Sequence, residues 1–281
     1  MSRSPKCAVL AFVLALTVLG LRPAHAADDF FGSDAQTPSP ITDFFALRAS
    51  FVHASVNTEL RLDPPGVPLG GTNLSGMQDL GFRSSESDGM AELMFRLRER
   101  NRIRADYLEL DQSGTRALAR PIVFGVMALN QGDVLNTDLQ WRVLGLTWTY
   151  ALIQNDRFEL GAGLGVHLMD LDVRGTVPAR FANYETSTAG ALPTPALEAV
   201  WRVTRRISLT ARGQYLKGTI NGTSGVLGDY HADAQFRIVP NLALGAGYSL
   251  VRLKLNSITD GDPGLVGIRL RGPEIFVRAS F

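Results

Sequence analysis

Apolar and polar residues alternate with a period of two along most of the chain after Phe44. In the stretch 158–169 every even-numbered residue is apolar, whereas half of the odd-numbered residues are glycine, with Glu159 and His167 among the others. The same alternation recurs at 91–98, 207–215, 230–238 and 242–250. Because successive side chains of a β-strand point to opposite faces, these segments are predicted to be amphipathic strands.

The stretch 135–150 departs from this rule because its apolar residues change parity. They occupy odd-numbered positions up to Val143 and even-numbered positions from Leu144 onward. A β-bulge near Gly145 would bring both sets to one face of the strand, and the pattern therefore predicts one there.

Short and long connections alternate between the predicted strands. Short ones lie at 99–101, 154–156, 204–206 and 239–241, and long ones run over about 61–87, 112–134, 174–189, 220–228 and 256–266. This order predicts an all-β fold, a closed up-and-down antiparallel barrel of about ten strands, with eight as the alternative. Ile122-Val123-Phe124 predicts a short extra hairpin inside the second long connection.

One face of these strands carries the charges, and we predict that it lines the lumen of a transmembrane β-barrel. A soluble periplasmic barrel, the alternative, would bury the apolar face, whereas a membrane barrel turns that face toward lipid. An arginine facing lipid at the midplane costs roughly 2–4 kcal/mol, so eight would cost about 16–32 kcal/mol. That total exceeds the usual net stability of a domain, about 5–15 kcal/mol.

The predicted lumen network consists of Arg48, Glu92, Arg96, Glu159, Glu198, Arg202, Arg212, Asp233, Arg237, Glu274 and Arg278, with Arg98, Arg104 and Asp106 on the same face. Glycines on this face leave room for large neighbours in a narrow lumen. Aromatic residues predicted to form interfacial girdles on the other face are Tyr107, Trp148, Tyr150, Trp201, Tyr215 and Tyr248.

The carboxyl-terminal segment is itself an alternating strand, with Ile275, Val277 and Phe281 on its apolar face. This ending resembles the assembly signal of bacterial outer-membrane β-barrel proteins. From Phe44 to Phe281 the pattern is similar to that of the small OmpA/OmpX-like barrels of the Gram-negative envelope. The resemblance implies periplasmic chaperones and the β-barrel assembly machinery as partners, with long loops outside the cell and short turns inside.

The amino-terminal segment predicts export through a cleaved signal peptide. Arg3 and Lys6 precede a short apolar stretch that ends near Leu21, and Ala24-His25-Ala26 is a small-x-small cleavage pattern. The predicted organisation is a signal peptide at 1–26, a periplasmic linker at 27–43 and a transmembrane β-barrel domain at 44–281. The expected location is the cell outer membrane, with outer-membrane lipid around the barrel.

Composition and charge exclude several other classes. The net charge is +1, from 28 basic and 27 acidic residues, so no nucleic-acid partner is predicted. The single cysteine, Cys7, lies in the predicted signal peptide, so the exported chain has no thiol chemistry.

The remaining candidates for chemistry are His53, His167 and His231. His231 shares a strand face with Asp229 and Asp233, and His53 shares one with Ser55, but no HExxH, GxSxG or phosphate-loop motif is present. We therefore predict no enzyme activity, no catalytic residue, no metal ligand and no cofactor.

The functional prediction is an integral outer-membrane β-barrel with a structural or surface-interaction role and a lumen filled by ion pairs. A narrow, porin-like channel for small solutes and an outer-membrane hydrolase of the lipid A or protease type are the alternatives.

Overall fold

The computed structural model describes residues 39–220, 223–257 and 264–281. Within these ranges ten long strands form one closed antiparallel barrel in up-and-down order, as predicted. They are β1 (Phe45–Arg61), β3 (Ser85–Leu97), β4 (Asn101–Ala117), β7 (Val134–Gln154), β8 (Phe158–Val177), β9 (Ala182–Arg202), β10 (Ile207–Ile220), β11 (Thr223–Val239), β12 (Leu242–Ser257) and β13 (Leu265–Ser280). The predicted signal peptide lies outside the described residues.

Three short strands belong to the long connections. β2 (Leu74–Ser75) adds to β1, and β5 (Ile122–Phe124) pairs with β6 (Met127–Leu129) as a separate hairpin. This hairpin confirms the extra hairpin predicted around Val123. No helix within the described ranges is long and apolar enough to cross a membrane.

The barrel closes between its first and last strands. β1 pairs with β13 in a register that runs from Ala46↔Ser280 to Arg61↔Leu265. The closed ladder leaves none of the long strands at an open edge, so the backbone of the wall is hydrogen-bonded without help from water.

β7 shows no bulge at Gly145, and that prediction is wrong. The register between β7 and β4 runs without interruption from Asn101↔Tyr150 to Ala117↔Val134. The irregularity of β7 lies between Ala151 and Ile153 instead. The apolar residues change parity at Gly145 because they occupy the inner face of the barrel on one side of it and the outer face on the other.

The two faces of the barrel wall exchange polarity part-way along the strands. On β8 the outward residues are apolar from Phe158 to Leu168 and polar from Asp170 onward. The inward residues change in the opposite sense, from glycine and His167 to an apolar series that begins at Met169.

The same exchange occurs at corresponding positions of other strands. On β4 the outward residues change from Tyr107 to Glu109, and the inward residues change from Asp106 to Leu108. We call the part of the barrel that carries the short connections the turn-side half, and the part that carries the long connections the loop-side half. The turn-side half has an apolar exterior and a polar interior, whereas the loop-side half has the reverse arrangement.

An apolar core fills the interior of the loop-side half. Its largest fully buried member is Trp141. Strands contribute Leu60, Leu110, Leu135, Leu139, Val173 and Ile268, and the long connections and the hairpin contribute Leu62, Leu80, Phe82, Phe124 and Met127. The loop-side half is therefore built like a water-soluble β-domain, in which apolar side chains pack inside and polar ones face solvent.

The turn-side mouth is occupied by the segment 39–43, which precedes β1. Ser39, Ile41 and Asp43 are buried, and the carbonyl oxygen of Pro40 accepts hydrogen bonds from Arg96 at 3.3 Å and Arg102 at 3.1 Å. The described part of the predicted linker is thus a plug in the barrel, and it belongs to the same compact unit as the strands.

Candidate functional site

The interior of the turn-side half is a network of ion pairs that spans the lumen. Arg48 on β1 connects strands that approach it from two directions. Its Nη1 lies 2.8 Å from Asp233 Oδ2 on β11, and its Nη2 lies 2.5 Å from Glu274 Oε1 on β13. Both carboxylates are almost fully buried, so this arginine holds three strands together through charge-assisted hydrogen bonds.

A second set of pairs crosses from β4 to β9. Glu198 on β9 binds Arg102, and its Oε1 also lies 2.6 Å from Arg104 Nη2. Arg104 Nε lies 3.2 Å from Oε1 of Glu92, which also binds Arg212 of β10.

Two further carboxylates lie at the end of the network nearest the short turns. Glu159 on β8 lies 2.7 Å from Arg102 Nη2 and 3.0 Å from Arg96 Nη2. Asp43, in the segment 39–43, lies 3.0 Å from Arg237 Nη2 and 3.2 Å from Arg278 Nη2. The plug therefore carries a charge that the two arginines require.

The structure places every residue of the predicted network inside the barrel, but it does not pair all of them. Arg202 is buried, yet it has no carboxylate partner among the described residues. Arg98, which was expected on the same face, lies exposed in the turn between β3 and β4 with a left-handed φ of 62°. Placing Arg98 in the lumen was wrong because strand alternation ends at Leu97.

Sequence reasoning missed two members of the lumen. Arg102 precedes Arg104 by two positions and faces inward for the same reason, so the alternation on β4 was sufficient to find it. Asp43 gives no strand signal, because it is not in a strand.

Glycine allows the wall to accept bulky neighbours inside the lumen. A Cβ added at Gly245 would lie 2.1 Å from Cζ of Phe276. The guanidinium carbon of Arg48 lies 3.6 Å from the centroid of that ring, within cation–π range. A cavity of about 30 Å³ lies among the ion pairs.

The three histidines have different environments. His231 and His167 are buried in the lumen, and Nε2 of His231 lies 2.8 Å from Oδ1 of Asp229. His53 faces outward, and its Nδ1 is 2.9 Å from the hydroxyl oxygen of Ser87 on β3, not from Ser55.

Comparison with known proteins gives a structural likeness and no sequence match. Neither a protein-family model nor any curated protein matches the chain. The chain is similar in structure to the outer membrane protease OmpT from Escherichia coli, with a TM-score of 0.51 and 12% identity. The alignment covers 89% of this chain and 100% of that chain. The fold is that of an outer-membrane β-barrel.

A further similar structure is the translocator domain of the autotransporter NalP from Neisseria meningitidis, with a TM-score of 0.43 and 10% identity. That alignment covers 98% of this chain and 96% of that chain.

The outer surface of the barrel is apolar where the lumen is charged. Ile275, Val277 and Phe281, which were predicted as the assembly signal, face outward and are exposed. The aromatic residues predicted for the girdles also face outward: Tyr107, Trp148, Tyr150, Trp201, Tyr215 and Tyr248. Apolar and aromatic side chains on the outside and ion pairs on the inside are the arrangement that a lipid environment requires.

Proposed function

We propose that the protein is an integral outer-membrane barrel that is sealed along its axis and presents its loop-side half at the cell surface. Its role is structural or one of surface interaction. The observation that carries this proposal is the apolar core of the loop-side half, which closes the lumen above the charged network.

The lengths of the apolar runs support a membrane around the turn-side half. The outward apolar run of β8, from Phe158 to Leu168, has the length of a tilted transmembrane strand, which is about 9–11 residues. β8 as a whole has 20 residues and β7 has 21, so both continue well beyond the lipid. The short turns then face the periplasm and the loop-side half lies outside the cell.

Two barriers in series oppose the alternative of a small-solute channel. In the turn-side half ion pairs cross the lumen, and the cavity among them measures about 30 Å³. In the loop-side half the path would pass Trp141, Leu139 and Leu110, which are fully buried and apolar. An ion on this path would lose its water without gaining polar ligands, which costs far more than thermal energy.

Exposed apolar side chains on the connections support a role in surface interaction. Val67, Leu69 and Met77 in the first long connection are more than half exposed, as is Val126 in the β5–β6 hairpin. Phe181, at the tip between β8 and β9, is 97% exposed. Surface loops commonly carry binding residues, and these apolar side chains are exposed there for contact with a partner.

We propose no hydrolase activity for His231 or His53. A substrate from outside the cell would have to cross the apolar core to reach His231. His53 contacts a serine, but among the described residues no carboxylate is paired with it.

Planar-bilayer recording tests the seal. The purified barrel, with its folding verified by its mobility on an unboiled gel, should give no conductance steps. Reproducible single-channel steps would show that the lumen conducts, which would contradict the proposal.

Labelling of single cysteines tests the orientation, because the chain has no cysteine after Cys7. In Phe181→Cys, a membrane-impermeant maleimide should label intact cells. In the matched variant Asp156→Cys, in the turn between β7 and β8, labelling should require a permeabilised outer membrane. The opposite result would reverse the proposed orientation.

A further inference from the structure

Three polar residues lie directly beneath the apolar core. Asp106 on β4, His167 on β8 and Asp229 on β11 are the last polar inward residues of their strands before the loop-side half. The next inward residues on these strands, two positions along in each case, are Leu108, Met169 and Leu227, and all three are buried. The three polar side chains meet in the lumen although they come from strands that are not neighbours.

The ligand atoms of these residues are close enough to share one ion. One atom of each residue lies within 4.8 Å of the others, and Nε2 of His167 is 3.7 Å from Oδ2 of Asp229. Around a tetrahedral Zn²⁺ with bonds of about 2.0–2.2 Å, ligand atoms are roughly 3.3–3.6 Å apart. A contraction of roughly 1 Å by side-chain rotation would therefore complete the coordination geometry.

The environment of His167 indicates that a bound ion belongs beside it. Its exposed fraction is 3%, and neither of its ring nitrogens has a hydrogen-bond partner. A buried polar group without a partner typically costs about 1–3 kcal/mol, so such groups are rare in native proteins. A metal ion at Nε2 would satisfy one of these two nitrogens.

Asp229 is oriented as a metal-binding carboxylate would be. Its Oδ2 faces His167, whereas its Oδ1 lies 2.8 Å from Nε2 of His231. Nδ1 of His231 in turn lies 3.9 Å from Oε2 of Glu274. An ion-pair partner at the second oxygen of a ligating carboxylate is a regular feature of metal sites.

Gly145 on β7 provides the space for this cluster. In the sheet register it lies between Asp106 on one side and His167 on the other. A Cβ at this position would be 2.4 Å from Oδ2 of Asp106. Any other residue would displace this carboxylate from the cluster.

The charges around the cluster favour a cation. Among the described residues, Asp106 has no arginine or lysine within ion-pair distance. Arg212 acts electrostatically on both Asp106 and Asp229, but its guanidinium is bound to Glu92. The carboxylate of Asp106 and the imidazole of His167 are thus left for a positive ligand, and Asp229 turns its Oδ2 toward them while its Oδ1 lies against His231.

We propose that Asp106, His167 and Asp229 bind one divalent transition-metal ion of the Zn²⁺ class. Nitrogen and carboxylate oxygen ligands suit such an ion, and a water molecule takes the fourth position. The bound ion links β4, β8 and β11 across the lumen, immediately below the apolar core.

Metal analysis of the untagged, folded protein tests the site. The barrel is refolded in detergent with Zn²⁺ or Co²⁺, washed with a weak chelator and analysed by mass spectrometry for metal content. The expected result is about one ion per chain, and Co²⁺ should show the visible absorption of a tetrahedral site. In His167→Gln and Asp106→Asn the metal content should fall at least tenfold.

His53→Gln is the matched control, because it removes an imidazole from the outer face and should retain the metal. Unboiled gels establish that each variant folds. A folded wild-type barrel that binds no metal overturns the proposal, and so does equal metal content in wild type and His167→Gln. If His167→Gln does not fold, Gly145→Ala is used in its place. This variant should also lose the metal. If Gly145→Ala and Asp106→Asn, each measured as a single variant, both retain the metal, the proposed metal site is contradicted.

Discussion

Replacing Leu164 by arginine tests the inverted polarity of the turn-side half. Leu164 is an outward residue of β8, three positions before His167, and its side chain is 65% exposed. In a water-soluble barrel, an arginine at so exposed a position would change the free energy of unfolding by no more than about 0.5 kcal/mol.

In a membrane barrel the same change places a guanidinium among acyl chains. Leu164 lies near the middle of the apolar run from Phe158 to Leu168, so Leu164→Arg should cost about 2–4 kcal/mol. Leu168→Arg, at the end of the run, should cost only about 0–1 kcal/mol because the side chain reaches the interface. Ser187 lies on the outward face of β9, beyond the apolar part of the wall. Ser187→Arg should therefore leave the free energy of unfolding almost unchanged.

The measurement is urea unfolding of the three variants in phospholipid vesicles, followed by tryptophan fluorescence and by mobility on unboiled gels. The test depends on the difference in free energy of unfolding among the three positions, because a general effect of added positive charge would be equal at all of them. If Leu164→Arg cost no more than Ser187→Arg, the apolar exterior would not face lipid.

Three further predictions concern single side chains. Trp141→Ala should lower the free energy of unfolding by about 3–5 kcal/mol in chemical denaturation, because it opens a cavity in the loop-side core. Gly245→Ala should cost about 1–3 kcal/mol in the same assay, because its Cβ would overlap the ring of Phe276. Arg174 donates to both carboxylate oxygens of Glu185, at 2.6 and 3.2 Å, beyond the apolar run of β8, and this hydrogen bonding lowers the pKa of Glu185. The small stabilisation from this pair should be present above the unfolded pKa of Glu185 and disappear as the pH falls through the folded pKa. In Arg174→Gln an NMR titration should find the pKa of Glu185 higher than in the wild type, and an unchanged value would show that the pair does not form.

The strand order could be predicted because a single short-range rule governs it. Alternation along β8 or β12 depends only on which face of the sheet each residue occupies, and ten strands follow from counting such segments.

The wrong prediction of a bulge at Gly145 has a physical cause. A single apolar face was assumed for each strand, but β7 has 21 residues, about twice the length that lipid covers. Beyond the lipid the interior becomes the apolar side, so the same strand needs the opposite pattern.

The pairing inside the lumen could not be predicted from alternation. The sequence places Arg48 and Glu274 on inward faces, but which arginine meets which carboxylate depends on the stagger of strands around the closed barrel. That stagger is a property of the whole sheet. Asp43 was missed for a related reason, since the backbone that carries it is irregular and follows no periodic rule.

Closure of the barrel and neutralisation of its interior are one event for this chain. The contact between Arg48 and Glu274 joins residues 226 positions apart, on the two strands whose pairing completes the wall. Until β13 arrives, β1 has an unsatisfied edge and Arg48 lacks one of its two counter-ions. A nearly finished barrel therefore has both an adhesive strand edge and an uncompensated buried charge, which favours all-or-none completion and makes late intermediates prone to aggregation.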